Sequence, residues 1–129
     1  MSTNKKIEWL LRVALFGTFV GHGMFALGGK ASWALWISGF TGADPVLASQ
    51  LLLLVGMTDI LVGIILLVLP LRIVILWAIV WTSWTAIMHI LPVIGDPIWE
   101  LFEKVINPLA SVSLLLLRGV PTTFKGWLK

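Results

Sequence analysis

The sequence predicts an all-α fold: a polytopic membrane protein whose four transmembrane helices form one bundle, with a short interfacial segment between helices 1 and 2. Three observations carry that expectation. The 129 residues are 59% hydrophobic and only 12% charged, against about 25% charged in a soluble domain. Mean hydropathy is +1.03. The apolar residues fall in four runs divided by glycine, proline and charge, each close to the roughly 20 residues that one helical crossing of a bilayer needs. Such a bundle fills the chain, so 1–129 reads as a single membrane domain with no room for a soluble catalytic one.

The first run, 7–27, follows Lys5 and Lys6 and ends at Ala26-Leu27-Gly28, which has the form of a signal-peptidase site. The run is longer than an ordinary h-region and contains Arg12 and His22, so it is expected to remain as a span. Between Gly28 and Pro45 come four glycines and the aromatic series Trp33, Trp36 and Phe40, spaced as an amphipathic turn lying at the interface. The second run, 46–69, and the third, 71–91, meet at Pro70 with almost no loop, which forces an antiparallel hairpin. Pro92, Gly95, Asp96 and Pro97 mark the next turn. The fourth run, 98–117, is the most polar, because Glu100, Glu103, Lys104, Asn107 and Pro108 crowd its first half. At 1.5 Å per residue the runs are about 30 to 36 Å long, and backbone groups in lipid must be satisfied within the segment, so each is expected to be helical.

Charge sets the orientation. With four spans, Lys5, Lys6, Arg12, Arg72, Arg118, Lys125 and Lys129 fall on one side, and only Lys30 and Lys104 on the other. That asymmetry places both termini in the cytoplasm of a cell whose inner membrane holds the protein. The chain has no cysteine, which excludes disulfides, a thiol relay, iron–sulfur clusters and thiolate metal sites; no metal site is expected. It has eight Trp and no Tyr, so any aromatic belt is built from Trp. The net charge of +3 is too small and too dispersed for nucleic acid, and the first partner is the bilayer itself.

Polar residues inside the spans are the informative ones, since a charge there costs about 2.5 to 3.5 kcal/mol on insertion scales. Counting helical rise from the cytoplasmic ends puts Asp59 about 15 Å deep, and Thr18, Thr82, Ser83 and Asn107 at about 16 to 18 Å. His22 and His89 form a second layer about 22 to 27 Å deep, joined by Glu100 and Glu103. Helical phase agrees with convergence on the bundle interior. Thr18 and His22 share a face near Gly17 and Gly21; Gly56, Asp59 and Gly63 share another, where small residues allow close helix contact. Thr82, Thr85 and His89 repeat that spacing, as do Glu100, Glu103 and Asn107. Each feature also has a structural alternative. Arg12 can snorkel, pair with Glu8, or reach toward Asp59. Asp59 can be a hydrogen-bonded helix glue or a proton-handling group. The stripe Trp77, Trp81, Trp84 and Met88 reads as packing against lipid or another helix.

Arg12 followed ten residues later by His22-Gly23, then Gly56-x-x-Asp59-x-x-x-Gly63 in the second of four helices, resembles the DoxX-like membrane proteins, relatives of the DoxD subunit of thiosulfate:quinone oxidoreductase. Helices 1 and 2 carry the resemblance, and helices 3 and 4 match in topology. Asp59 stands where the family often has Glu. The resemblance implies a redox-associated or quinone-linked membrane role with Arg12, His22 and Asp59 as motif positions. His89, Glu100, Thr18, Ser83 and Asn107 are candidates from depth alone.

Four functions are open to such a chain. It could hold a quinone-type or other lipophilic ligand between its helices as a redox-associated subunit, with a partner subunit or a second copy of itself supplying what it lacks. It could be a small proton-coupled transporter of cations working through Asp59, although Arg12 would repel such a substrate. It could bind haem b through His22 and His89, which a depth difference of about 5 Å disfavours. Or it could be an assembly subunit with no ligand.

Overall fold

A computed structural model describes residues 1–129. It is all-helical: α1 (Thr3–Leu27), α2 (Ala31–Thr41), α3 (Pro45–Val68), α4 (Arg72–Ile87), a 3-10 turn over Met88–Ile90, α5 (Ile98–Lys104), α6 (Ile106–Arg118) and α7 (Phe124–Trp127). Three helical stretches are long and apolar enough to cross a membrane: Thr3–Leu27, Pro45–Val68 and Arg72–Ile90, the last being α4 with its 3-10 extension. The expected fourth span, 98–117, is instead two helices with a break at Val105. Pro108 is the cause, because it has no N–H for the Lys104 carbonyl four residues back and its ring crowds that carbonyl. Val105 itself stays in the right-handed helical region, so one turn is lost rather than the direction of a loop gained.

Local signals explain the other boundaries. Asp44 caps α3 by accepting from the N–H groups of Val46 and Leu47 at 2.9 and 3.0 Å, with Pro45 in the first helical position where its missing N–H costs nothing. Gly42, at φ +72°, ends α2 in a left-handed turn. Pro92 cannot donate to the Met88 carbonyl, and α4 tightens into its 3-10 turn just before it.

At one end of the bundle the interior is solid. Leu15 and Phe19 of α1, Val62 and Leu66 of α3, Ile75 and Ala78 of α4 and Leu114 and Leu115 of α6 form one buried cluster. Arginines close that end. Pro70 leaves the Leu66 carbonyl without its i+4 donor, and the N–H groups of Leu71 and Arg72 turn to Leu69 and Lys129. The three carbonyls thus freed are taken by Arg12, whose Nε donates to Leu66 O at 3.3 Å and whose Nη2 donates to Leu67 O and to Val68 O, the latter at 3.2 Å. Arg12 also lies over the Trp9 ring at 4.0 Å and 3.9 Å from Glu8. Arg72 treats the end of α6 in the same way, donating to Gly119 O at 2.8 Å and to Arg118 O. Arg118 in turn reaches Glu8 at 2.7 Å.

Helices α1 and α3 cross so closely that backbone meets backbone. A Cβ built on Gly23 would stand 2.9 Å from Gly56 O, and one on Gly56 would stand 2.9 Å from Gly23 O. Gly63 lies against Phe19 a turn and more away. Gly17 and Gly21, expected at the contact face, have nothing within 4 Å of a built Cβ. Glycine at the crossing is therefore Gly23, the neighbour of His22. Across the bundle α3 packs mainly on α1 and α4 mainly on α6, with little contact between α3 and α4, and a hollow lies toward the opposite end.

Candidate functional site

That hollow has a volume of about 580 Å³, inside the range of roughly 300 to 1,000 Å³ typical of small-molecule sites. Helix α2 covers it. Trp33, Trp36 and Phe40 fall at i, i+3 and i+7, so they share one face of α2, and all three line the cavity. The segment expected to lie at the interface as an amphipathic turn therefore gives its aromatic face to the cavity. Trp33 meets His22 edge-on with ring centroids 5.6 Å apart, and Trp36 meets His89 edge-on at 5.4 Å. Trp33 and Trp36 stack at 6.3 Å, so four rings run unbroken from α1 across α2 to the end of α4. Phe40 closes the far side against Trp84 at 5.5 Å.

Four of the expected residues come together here. His22, Asp59, His89 and Glu100 all line the cavity. Asp59 is 3% exposed and sits beside the Trp81 indole, its polar neighbour from α4. His89 is buried, and its Nδ1 lies 2.7 Å from Asp96 Oδ2, while the Asp96 N–H donates to the His89 carbonyl at 3.0 Å. A carboxylate accepting at Nδ1 holds a ring N–H there and leaves Nε2 as the ring nitrogen not used by Asp96. Glu100 bonds Lys104 at 3.4 Å, and Lys30 lies over the Phe25 and Trp33 rings at 5.1 and 4.7 Å. The lysines at this end, Lys30 and Lys104, are thus matched with ring faces and a carboxylate at the cavity wall.

The other four candidates lie elsewhere. Arg12 is at the closed end, fully engaged by α3 carbonyls, and does not reach Asp59. Thr18 Oγ1 donates to Asn107 Oδ1 at 3.4 Å across the α1–α6 contact, outside the residues lining the cavity. Of the expected stripe Glu100, Glu103 and Asn107, only Glu100 lines the cavity, and Asn107 meets α1 instead. Thr18 and His22 share a face of α1, but α6 stands opposite the first and the cavity opposite the second. Ser83 is half-buried and lines no cavity described here. At 100° per residue it lies about 160° around α4 from Thr85, which does line it. Thr82 is buried and donates to the Ala78 carbonyl of its own helix at 2.6 Å.

Trp81, Trp84 and Met88, expected as packing, are cavity wall. Their sequence signal was present, a stripe at helical spacing, but such a stripe looks the same whether it faces a neighbour or a void. Asp96 as the partner of His89 had no periodic signal, because it follows across a proline- and glycine-containing turn. Set against known proteins, the chain matches no family model, no curated protein and no solved structure, so the chemistry of this cavity rests on its own geometry.

Proposed function

We propose that the protein is an integral membrane subunit that holds a lipophilic ligand with a flat, hydrogen-bonding head, of the quinone type, in the cavity beneath α2. The observation that carries this is the pairing of an aromatic wall with a few polar groups aimed inward: Trp33, Trp36, Trp81 and Trp84 around Asp59, His22 and His89. Ring faces stack on a flat head. Asp59 and the Nε2 of His89 can exchange hydrogen bonds and protons with its oxygens. The DoxX-like resemblance of helices 1 and 2 supports the same reading for His22 and Asp59, while Arg12 serves the end of α3. With no cysteine in the chain, a redox-associated role has a partner subunit carry the electrons.

The test is titration of the purified protein, in mild detergent, with a tailless dimethoxy-methyl-benzoquinone, following quenching of tryptophan emission, alongside mass spectrometry of co-extracted small molecules. Saturable quenching that is lost when Trp33 and Trp36 are both changed to Leu is the expected result. No saturable binding and no extracted lipophile would leave an assembly subunit as the better account. A second reading has one observation in its favour. With Arg12 held at the other end of the bundle, its guanidinium does not repel a cation from Asp59, though Lys30 and Lys104 line the same cavity, and tryptophan faces attract organic cations. Binding of tetraphenylphosphonium in place of the benzoquinone would select a proton-coupled transporter.

In the same reading α5 and α6 together complete a fourth crossing, and both termini face the cytoplasm of the inner membrane. Lys5, Lys6, Arg72, Arg118, Lys125 and Lys129 then lie inside. A cytoplasm-active reporter fused after Lys129 and a periplasm-active one within α2 should both give signal. A C-terminal reporter active only in the periplasm would show an odd number of crossings.

A further inference from the structure

We infer that this site takes a tailed amphiphile presented from within the bilayer, its head in the cavity and its hydrocarbon tail in a groove between α3 and α4. The inference rests on the ligand reading above and adds the route and the second half of the ligand. A second hollow of about 380 Å³ adjoins the first and shares Asp59, Trp81, Val55, Ile37 and Thr41 with it. Its own walls are Leu51, Leu54 and Thr58 of α3 and Trp77 of α4. The two helices are joined at Pro70 yet touch each other little, α3 packing mainly on α1 and α4 on α6, so a gap is left between them.

The position of this groove says what fills it. Leu54 is nine residues from the start of α3 and Thr58 thirteen, which is about 14 and 20 Å along the helix, inside a hydrocarbon layer about 30 Å thick. Leu54 is 55% exposed and Trp77 43% exposed, so the groove opens sideways at membrane depth. Trp77 and Trp81 stack with their planes 9° apart and centroids 5.8 Å apart, giving one smooth apolar wall that runs from the outer groove to the inner cavity. An occupant there touches acyl chains on one side and the ligand head on the other. A hydrocarbon tail continuous with that head meets both conditions.

The experiment compares the tailless benzoquinone with its decyl-tailed homologue on the purified full chain in lipid nanodiscs. Thr58→Phe and Leu54→Trp fill the groove, and Leu61→Phe, on an exposed face of α3 outside both hollows, is the control. Each variant is first shown to melt like the parent. The groove variants should weaken the decyl compound by about tenfold or more, the order that one overpacked contact costs, and leave the tailless one unchanged; the control should change neither. A decyl compound carrying a photoreactive group on its tail should label the 51–58 segment. Equal effects on both compounds, or labelling spread over the lipid-facing surface, would overturn the groove as a tail site and assign it to ordinary bilayer lipid. Binding of neither compound to the parent would overturn the reading of the cavity itself, and the inference with it.

Discussion

Gly56→Val is expected to uncouple α1 from α3, with a large loss of thermal stability and no remaining ligand binding. A Cβ at this position would meet Gly23 O at 2.9 Å and Leu27 N at 3.0 Å. Both are backbone atoms of a helix and cannot swing aside. The helices must move apart, which strips contact from a crossing that has no hydrophobic driving force to re-form it in lipid, where small residues and close packing hold helices together. Overpacking of this kind costs about 1 to 3 kcal/mol, and the branched side chain lies at the upper end. The cavity should feel it directly, since Gly23 is the neighbour of His22 and Gly56 is one turn from Asp59. Gly17→Ala and Gly21→Ala are the matched controls, because nothing lies within 4 Å of a Cβ at either. Melting temperatures in detergent check the series. Similar losses at Gly21 and Gly56 would show that the crossing is not where the structure places it.

Asp59 should divide stability from function. Asp59→Asn keeps shape and hydrogen bonding but cannot take up or release a proton, so it should melt like the parent and bind the benzoquinone with a pH dependence reduced from the parent's. Asp59→Leu should bind about ten- to hundredfold more weakly, since a hydrogen bond involving a charge-capable group is worth about 1.5 to 3 kcal/mol. It should lose only about 1 kcal/mol of stability, the scale of interhelical hydrogen bonds in membranes. The reason is that the carboxyl lines a cavity and its polar contact to another helix is the Trp81 indole of α4 alone, which also forms the wall. Titrations at several pH values settle it. A pH dependence that survives unchanged in the Asn variant would sink proton handling by Asp59, and a large stability loss in that variant would make the residue structural.

Much of this was legible in the sequence, and the limits have a physical cause. Apolar runs and their proline boundaries locate α1, α3 and α4 to within a few residues, because length and hydropathy suffice in a membrane. Depth counting put Asp59 in a central layer with Thr18, Thr82, Ser83 and Asn107, and His22 and His89 in an outer one with Glu100 and Glu103; the cavity takes Asp59 from the first layer and His22, His89 and Glu100 from the second. Depth could not tell which way a residue points, and so it did not separate Asp59 from Thr18, Ser83 and Asn107. The inward face of α2 was hidden for another reason: a tryptophan stripe signals burial of one face without saying whether protein, lipid or a void receives it.

Arg12 and Pro70 are bound together in a way that reaches beyond folding. The proline removes one donor and turns the chain so that three carbonyls of α3 lose theirs, and the arginine, fifty-eight positions earlier in the sequence, replaces them all. A substitution at position 12 would strand carbonyls that exist as free acceptors only because of position 70, and a substitution at position 70 would leave a guanidinium competing with a helix able to bond itself. Neither site is free to drift alone. A change at one position alone is expected to cost stability that a matching change at the other restores, so the two positions should vary together.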